Sequence, residues 1–189
     1  MPNVWRRAPG TGQQAGLQRQ AAAALLKAYA GSASSHVLRL SLVSEHAAKQ
    51  YDDKLAACWA DLADRPLDDT SLGLLGLPAR QGGAGAQYAM DRRCPAYFAS
   101  WSSAAKEIMD DLGCSTMADA LDLLPVTAAK LEQAREGIAS QGVKIAEGAP
   151  LADALHHPTV QALVMERAQK LKKATLLRQM PDHQAAEVR

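Results

Sequence analysis

Aromatic residues make up only 4% of this 189-residue chain, with a single phenylalanine, and β-branched residues are scarce. Sheets draw on those side chains, whereas the Ala and Leu that supply most of the apolar content favour helix. The expected fold is therefore all-α, an irregular helical bundle with a Gly-rich loop and flexible termini. Cysteine is also sparse. Cys58, Cys94 and Cys114 are odd in number, widely spaced and without a C-x-x-C pair, which argues against a disulfide framework and against a zinc site. No apolar run approaches the roughly eighteen residues needed to cross a bilayer, since Lys27 interrupts the longest Ala/Leu stretch, so no transmembrane segment is expected. There is no H-E-x-x-H and no nucleophile elbow, and no catalytic residue, metal ligand or cofactor is assigned.

A net charge of +1 excludes recruitment of nucleic acid or membrane by a global field. The charge is uneven, however. Residues 1–44 hold Arg6, Arg7, Arg19, Lys27 and Arg39 with no acidic residue, so the remainder is mildly acidic. This acid-free front, with Ala28-Tyr29-Ala30 imitating a cleavage site, also fits an organelle-targeting sequence. Its apolar part, Ala21 to Leu26, is short for a secretory signal, and cytoplasm or nucleus is the default location.

Residues 1–13, rich in Pro and Gly, are expected to be a disordered N-terminus. A helical domain over 14–140 follows. It opens with a helix from Gln14 to Ala30 ended by Gly31, then a short one from Ser35 through Leu42. Ser44 stands at an N-cap position before a helix to about Ala63, whose apolar residues Ala48, Tyr51, Leu55, Cys58, Trp59 and Leu62 recur at helical spacing. Asp68 to Ser71 starts a short helix before Pro78, and Pro78 to Gln87 is a loop because of its glycines. Tyr88 to Leu112 reads as helix kinked or divided by Pro95 and stopped by Gly113. Short helices near Thr116–Leu124 and Thr127–Ser140 precede a linker, 141–157. A basic amphipathic helix, 158–178, has Val160, Leu163, Val164, Ala168, Leu171 and Thr175 on its apolar side. Arg167, Lys170, Lys172, Lys173 and Arg178 crowd the rest, a pattern able to dock a protein partner, an anionic membrane or nucleic acid. A polar tail, 179–189, closes the chain.

Two stretches, Gln50-Tyr51-Asp52-Asp53 and Ile108-Met109-Asp110-Asp111, imitate the paired carboxylates of a polymerase. Both lie in helix-period sequence, where adjacent side chains diverge by about 100° and cannot converge on metal ions. Solvated faces, or a hydrogen bond at the core edge for Asp52, are the expected roles. Gly82-Gly83-Ala84-Gly85 is not followed by Gly-Lys-Ser/Thr, so a structural turn is preferred over a phosphate loop. His156-His157 has no further ligand nearby, and His36, His46 and His183 stand alone.

The segment Leu77-Pro78-Ala79-Arg80-Gln81-Gly82-Gly83-Ala84-Gly85 resembles the L-P-x-R-x-G-G-x-G segment that follows the polymerase palm in non-LTR (LINE-type) retrotransposon reverse transcriptases. Upstream, His36-Val37-Leu38-Arg39-Leu40 and Tyr51-Asp52-x-x-Leu55 resemble that family's apolar and aromatic-Asp helices. Downstream, Ala96-Tyr97-Phe98-Ala99-Ser100-Trp101 is similar to its Ser-Trp ending. The resemblance spans about residues 35–101, within a core 35–112, and Ala86 departs from it where the family has a larger apolar residue. It implies a thumb or post-thumb helical segment that helps grip template and primer, with the palm and its metal-binding carboxylates lying before residue 1. Lys49, Lys54, Arg80, Arg92 and Arg93 are then the candidate contacts to an RNA or DNA backbone, without sequence preference. The expected function is that of a non-catalytic retroelement-derived fragment with weak nonspecific nucleic-acid binding. The alternative is a helical protein-interaction module, using the basic helix 158–178 or an exposed apolar face.

Overall fold

A computed structural model describes residues 12–156 and 160–179, and all regular structure among them is helical. The first helix, α1 (Gly12–Leu40), is continuous for 29 residues. Gly31 does not end it, and Ser35 does not start a second one. Ser32 donates its hydroxyl proton to the Ala28 carbonyl, and Ser34 and Ser35 donate theirs to Gly31. The serine cluster is thus satisfied inside the helix. Gly12 and Gln13, read as part of a disordered end, already belong to α1; residues 1–11, 157–159 and 180–189 lie outside the described part.

Helix α2 (Glu45–Ala63) starts where Ser44 caps it, with the Ser44 hydroxyl accepting from the Ala47 N–H. Its buried face is Ala48, Leu55 and Trp59, while Cys58 points to solvent rather than into the stripe. Asp68 caps α3 (Asp69–Gly76) in the same way, accepting from Ser71. The glycine loop then turns through a short 3-10 segment, Ala79–Gln81. Gly82 and Gly85 adopt φ of 86° and 73°, and a Cβ on Gly83 would sit 2.0 Å from the Leu77 carbonyl oxygen. Only glycine tolerates that backbone and that closeness.

Helix α4 (Ala89–Ser103) is the centre of the molecule. Seven consecutive residues, Arg93 to Ala99, are buried, so the helix is covered on every side. It packs against α1, α2, α7 (Pro125–Ser140), α8 (Leu151–Leu155) and α9 (Val160–Gln179). Small residues permit this. A Cβ on Gly137 of α7 would meet Cys94 Sγ at 2.4 Å. Pro95 does not divide α4; the break falls at Ala104, from which α5 (Ala105–Leu112) runs to its stop at Gly113.

Thr116 caps α6 (Met117–Leu123), and Phe98, Met117, Leu131, Ile138, Leu155 and Val164 fill the main core. The segment read as a linker contributes to that core. Val143, Ala154 and Leu155 are buried, and Ser102 of α4 donates to the Leu155 carbonyl at 2.6 Å. The apolar side of α9 is also not a single stripe. Val164 is buried at one end and Leu176, against Gly73 of α3, at the other, while Leu171 and Thr175 are exposed. No helix of the described residues is long and apolar enough to cross a membrane.

Candidate nucleic-acid interface

The aspartate pairs separate as helical geometry requires. Asp52 reaches from α2 to the start of α4, where its two carboxylate oxygens accept from the Ala89 N–H at 2.6 Å and the Met90 N–H at 2.9 Å. These amides have no partner within their own helix, and a carboxylate is favoured at a helix N-terminus. The expected core-edge hydrogen bond for Asp52 is present. Its neighbour Asp53 pairs with Lys49, and Asp110 pairs with Lys106 at 2.7 Å. Tyr51 points a third way and donates to the Ala30 carbonyl of α1 at 2.6 Å. Tyr51 and Asp52 therefore stitch α2 to α1 and to α4.

The amides of the glycine loop face inward. Gly82 N–H bonds Ala79, Gly83 N–H bonds Pro78, and Gly85 N–H bonds Leu77 at 2.8 Å. Those donors are engaged by the loop's own carbonyls and form no anion cradle. Ala86, buried at the end of the loop, rests on Leu55 and Trp59.

The five basic candidates have different surroundings. Arg93 is buried, and its guanidinium donates to the Val43 carbonyl at 3.0 Å and to Glu45 at 2.6 Å. It ties the α1–α2 connection to α4 and does not face outward. Lys49 is exposed but bridged to Asp53 at 2.8 Å, a contact that raises the lysine pKa above its ordinary value. Lys54 is exposed. Arg80 is exposed on the 3-10 segment, close enough to α9 that its charge adds to the stronger effect of Lys170 in lowering the Glu166 pKa. Among the described residues, neither Lys54 nor Arg80 has a carboxylate bonded to it.

Arg92 is half-buried and donates to the Gln87 side-chain oxygen. Burial, followed by the nearby positive charge of Arg39, holds its guanidinium below the usual arginine value. No ion pair among the described residues offsets that repulsion. Lys27, Arg39 and Gln87, which are not among the five candidates, border Arg92 on this edge. A helix broken at Gly31 separates Lys27 from Arg39, whereas the continuous α1 carries both past the start of α4.

Searches against protein-family models, curated proteins and solved structures return no match to this chain.

Proposed function

We propose that this chain is a non-catalytic, retroelement-derived helical fragment, akin to the thumb or post-thumb part of a non-LTR reverse transcriptase, that binds nucleic-acid backbone weakly and without sequence preference. The observation that carries the reading is the pair Arg92 and Arg39. Arg92 is half-buried and bonded to Gln87 but to no carboxylate among the described residues, and the charge of exposed Arg39 adds to the burial that lowers its pKa, so an anion at Arg92 favours its charged form. Arg80 and Lys54 extend the set of cations available to a polyanion. Phosphates are the anions that reward such a set, each contact adding affinity but no sequence information. Tyr51 and Asp52, residues of the resembling segment, hold α2 to α1 and to the start of α4, the helix that carries Arg92.

The test is a mobility shift with unrelated RNA and DNA strands. Comparable, salt-sensitive shifts that Arg80→Ala with Arg92→Ala abolishes support the reading; no shift at low salt overturns it. Arg93 is left out of that variant, because its removal would leave the Val43 carbonyl and Glu45 without their partner.

A second reading, a protein-interaction module, is favoured by one observation. Leu25, Tyr29, Val37 and Leu40 of α1 are 54%, 70%, 54% and 68% exposed at helical spacing. The docking face would then be on α1, because Val164 and Leu176 of α9 are packed inside. Concentration-dependent self-association or a captured partner, with no nucleic-acid shift, distinguishes it.

A further inference from the structure

An open cleft of about 450 Å³ lies between α1 and the residues that lead into α4. That volume suits a small organic ligand rather than a bare ion. Ala24 and Ala28, one turn apart on α1, supply an apolar surface, and Lys27, Ser32, Ser35, Gln87 and Arg92 supply the polar one. No carboxylate is among these lining residues.

The cleft is held by a chain of contacts. Gly31 is buried within α1, and a Cβ there would stand 2.8 Å from Gln87 Oε1 and 2.9 Å from its Cδ. The missing side chain is what lets Gln87 lie against the helix. Gln87 Oε1 in turn accepts from Arg92 Nη1, which orients the guanidinium. Lys27 comes from the opposite wall, where a Cβ on Gly85 would be 3.1 Å from its Nζ.

The hydroxyls narrow the ligand further. Ser32 and Ser35 donate their protons to the helix carbonyls of Ala28 and Gly31, at 2.7 and 2.6 Å. They are left with lone pairs, so they accept hydrogen bonds from a ligand and repel its oxyanions. A ligand that fits carries an anionic group for the two cations, hydroxyl or amino donors for the serines, and a flat or apolar part for the alanines.

We propose that this cleft binds one phosphorylated nucleoside unit, with Lys27 and Arg92 on the phosphate, the serine oxygens on sugar hydroxyls or base amino groups, and the Ala24–Ala28 surface beneath the base. The biological source of that unit rests on the nucleic-acid reading above, since a free mononucleotide and one residue of a strand present the same chemistry.

The experiment follows the backbone amides of Ala24, Ala28, Ser32 and Gln87 by NMR while the full chain is titrated with adenosine monophosphate, inorganic phosphate or an eight-residue single strand. Saturable shifts of these amides are expected with the nucleotide and the strand, and binding at least ten-fold weaker with inorganic phosphate. Lys27→Ala with Arg92→Ala should abolish the shifts and flatten the salt slope of strand binding by roughly 0.7, the value for the one phosphate that is no longer neutralised. Lys27→Glu, at an exposed position, should weaken both ligands at least ten-fold with an unchanged circular dichroism spectrum. Equal binding of inorganic phosphate and nucleotide, or unmoved amides with both nucleotide and strand, overturns the site. In the latter case a strand that still shifts in a gel leaves the wider reading standing, and one that does not shift removes both. Nucleotide binding in the cleft without strand binding keeps the site and removes the wider reading.

Discussion

The side-chain amide of Gln141 donates to the carbonyl of Asp91 at 3.3 Å, and Asp91 is the residue whose α-helical donor would be the missing N–H of Pro95. A proline in mid-helix removes that bond and crowds the carbonyl four residues back. Gln141, at the end of α7, supplies the donor from outside, and α4 continues through Pro95.

Gln141→Leu should therefore destabilise the chain by about 1 kcal/mol, the net value of an ordinary hydrogen bond, and more where the carbonyl stays dry. The discriminating result is the double-mutant cycle. In a Pro95→Ala background the new N–H takes over the Asp91 carbonyl, so replacing Gln141 should cost much less there. Equal costs in both backgrounds, measured by urea denaturation, contradict the assignment.

Asp52 and Asp53 are neighbours with different tasks. Asp52→Ala removes a two-amide cap from α4 and should cost about 1–2 kcal/mol of stability. Asp53→Ala removes only an exposed pair with Lys49 and should be close to neutral. Thermal melts that rank the two variants in the opposite order would argue against the cap.

Gly137 and Cys94 mark the closest approach of α7 to α4. Gly137→Ala places a methyl 2.4 Å from Cys94 Sγ and 3.3 Å from its Cβ, inside a filled core, so a loss of about 1–3 kcal/mol is expected despite the better helix propensity of alanine. Cys94→Ala should rescue most of it. Burial also pushes the Cys94 thiol above its ordinary pKa, so a thiol reagent at mildly alkaline pH should label exposed Cys58 first and Cys94 only on unfolding.

Tyr88 donates to the Leu72 carbonyl at 3.1 Å, and burial, followed by the carboxylates of Asp52 and Asp91, pushes its phenol up from 10 to about 12. The folded value exceeds the unfolded one. The stability tied to this proton is thus fully present below pH 10 and is lost as the pH rises through 12. Tyr88→Phe should flatten the alkaline fall of stability between pH 10 and 12, read as the difference from the parent chain so that lysine titration cancels. Parallel pH profiles would show that Tyr88 does not contribute.

The elements whose causes are local were readable from sequence. Ser44 and Asp68 announce α2 and α3 because a capping hydroxyl or carboxylate acts within three residues, and the aspartate pairs were set apart by helical geometry alone. Other residues take their roles from partners distant in the chain. Gly31 looked like a stop because its reason, the Gln87 side chain, lies on a distant segment. Pro95 looked like a break because Gln141 is remote, and Arg93 looked like a surface cation because Val43 and Glu45 are nearly fifty residues away. The segment 141–157 looked like a linker although Leu155 is fully buried. Propensity and periodicity describe what a segment does by itself, and each of these residues is fixed by something it meets only after folding. The basic edge is half visible in the sequence for the same reason: Arg92 follows the glycine segment closely, whereas Lys27 and Arg39 join it only through the uninterrupted α1.

The most direct measurement is the affinity of the intact chain for several unrelated single strands across a salt series, by fluorescence anisotropy. Equal affinities are predicted for all sequences, with log affinity falling linearly against log salt at a slope of at least about −1.4, the value for two neutralised phosphates. Absence of binding at low salt, or binding that ignores salt or selects one sequence, would contradict the account.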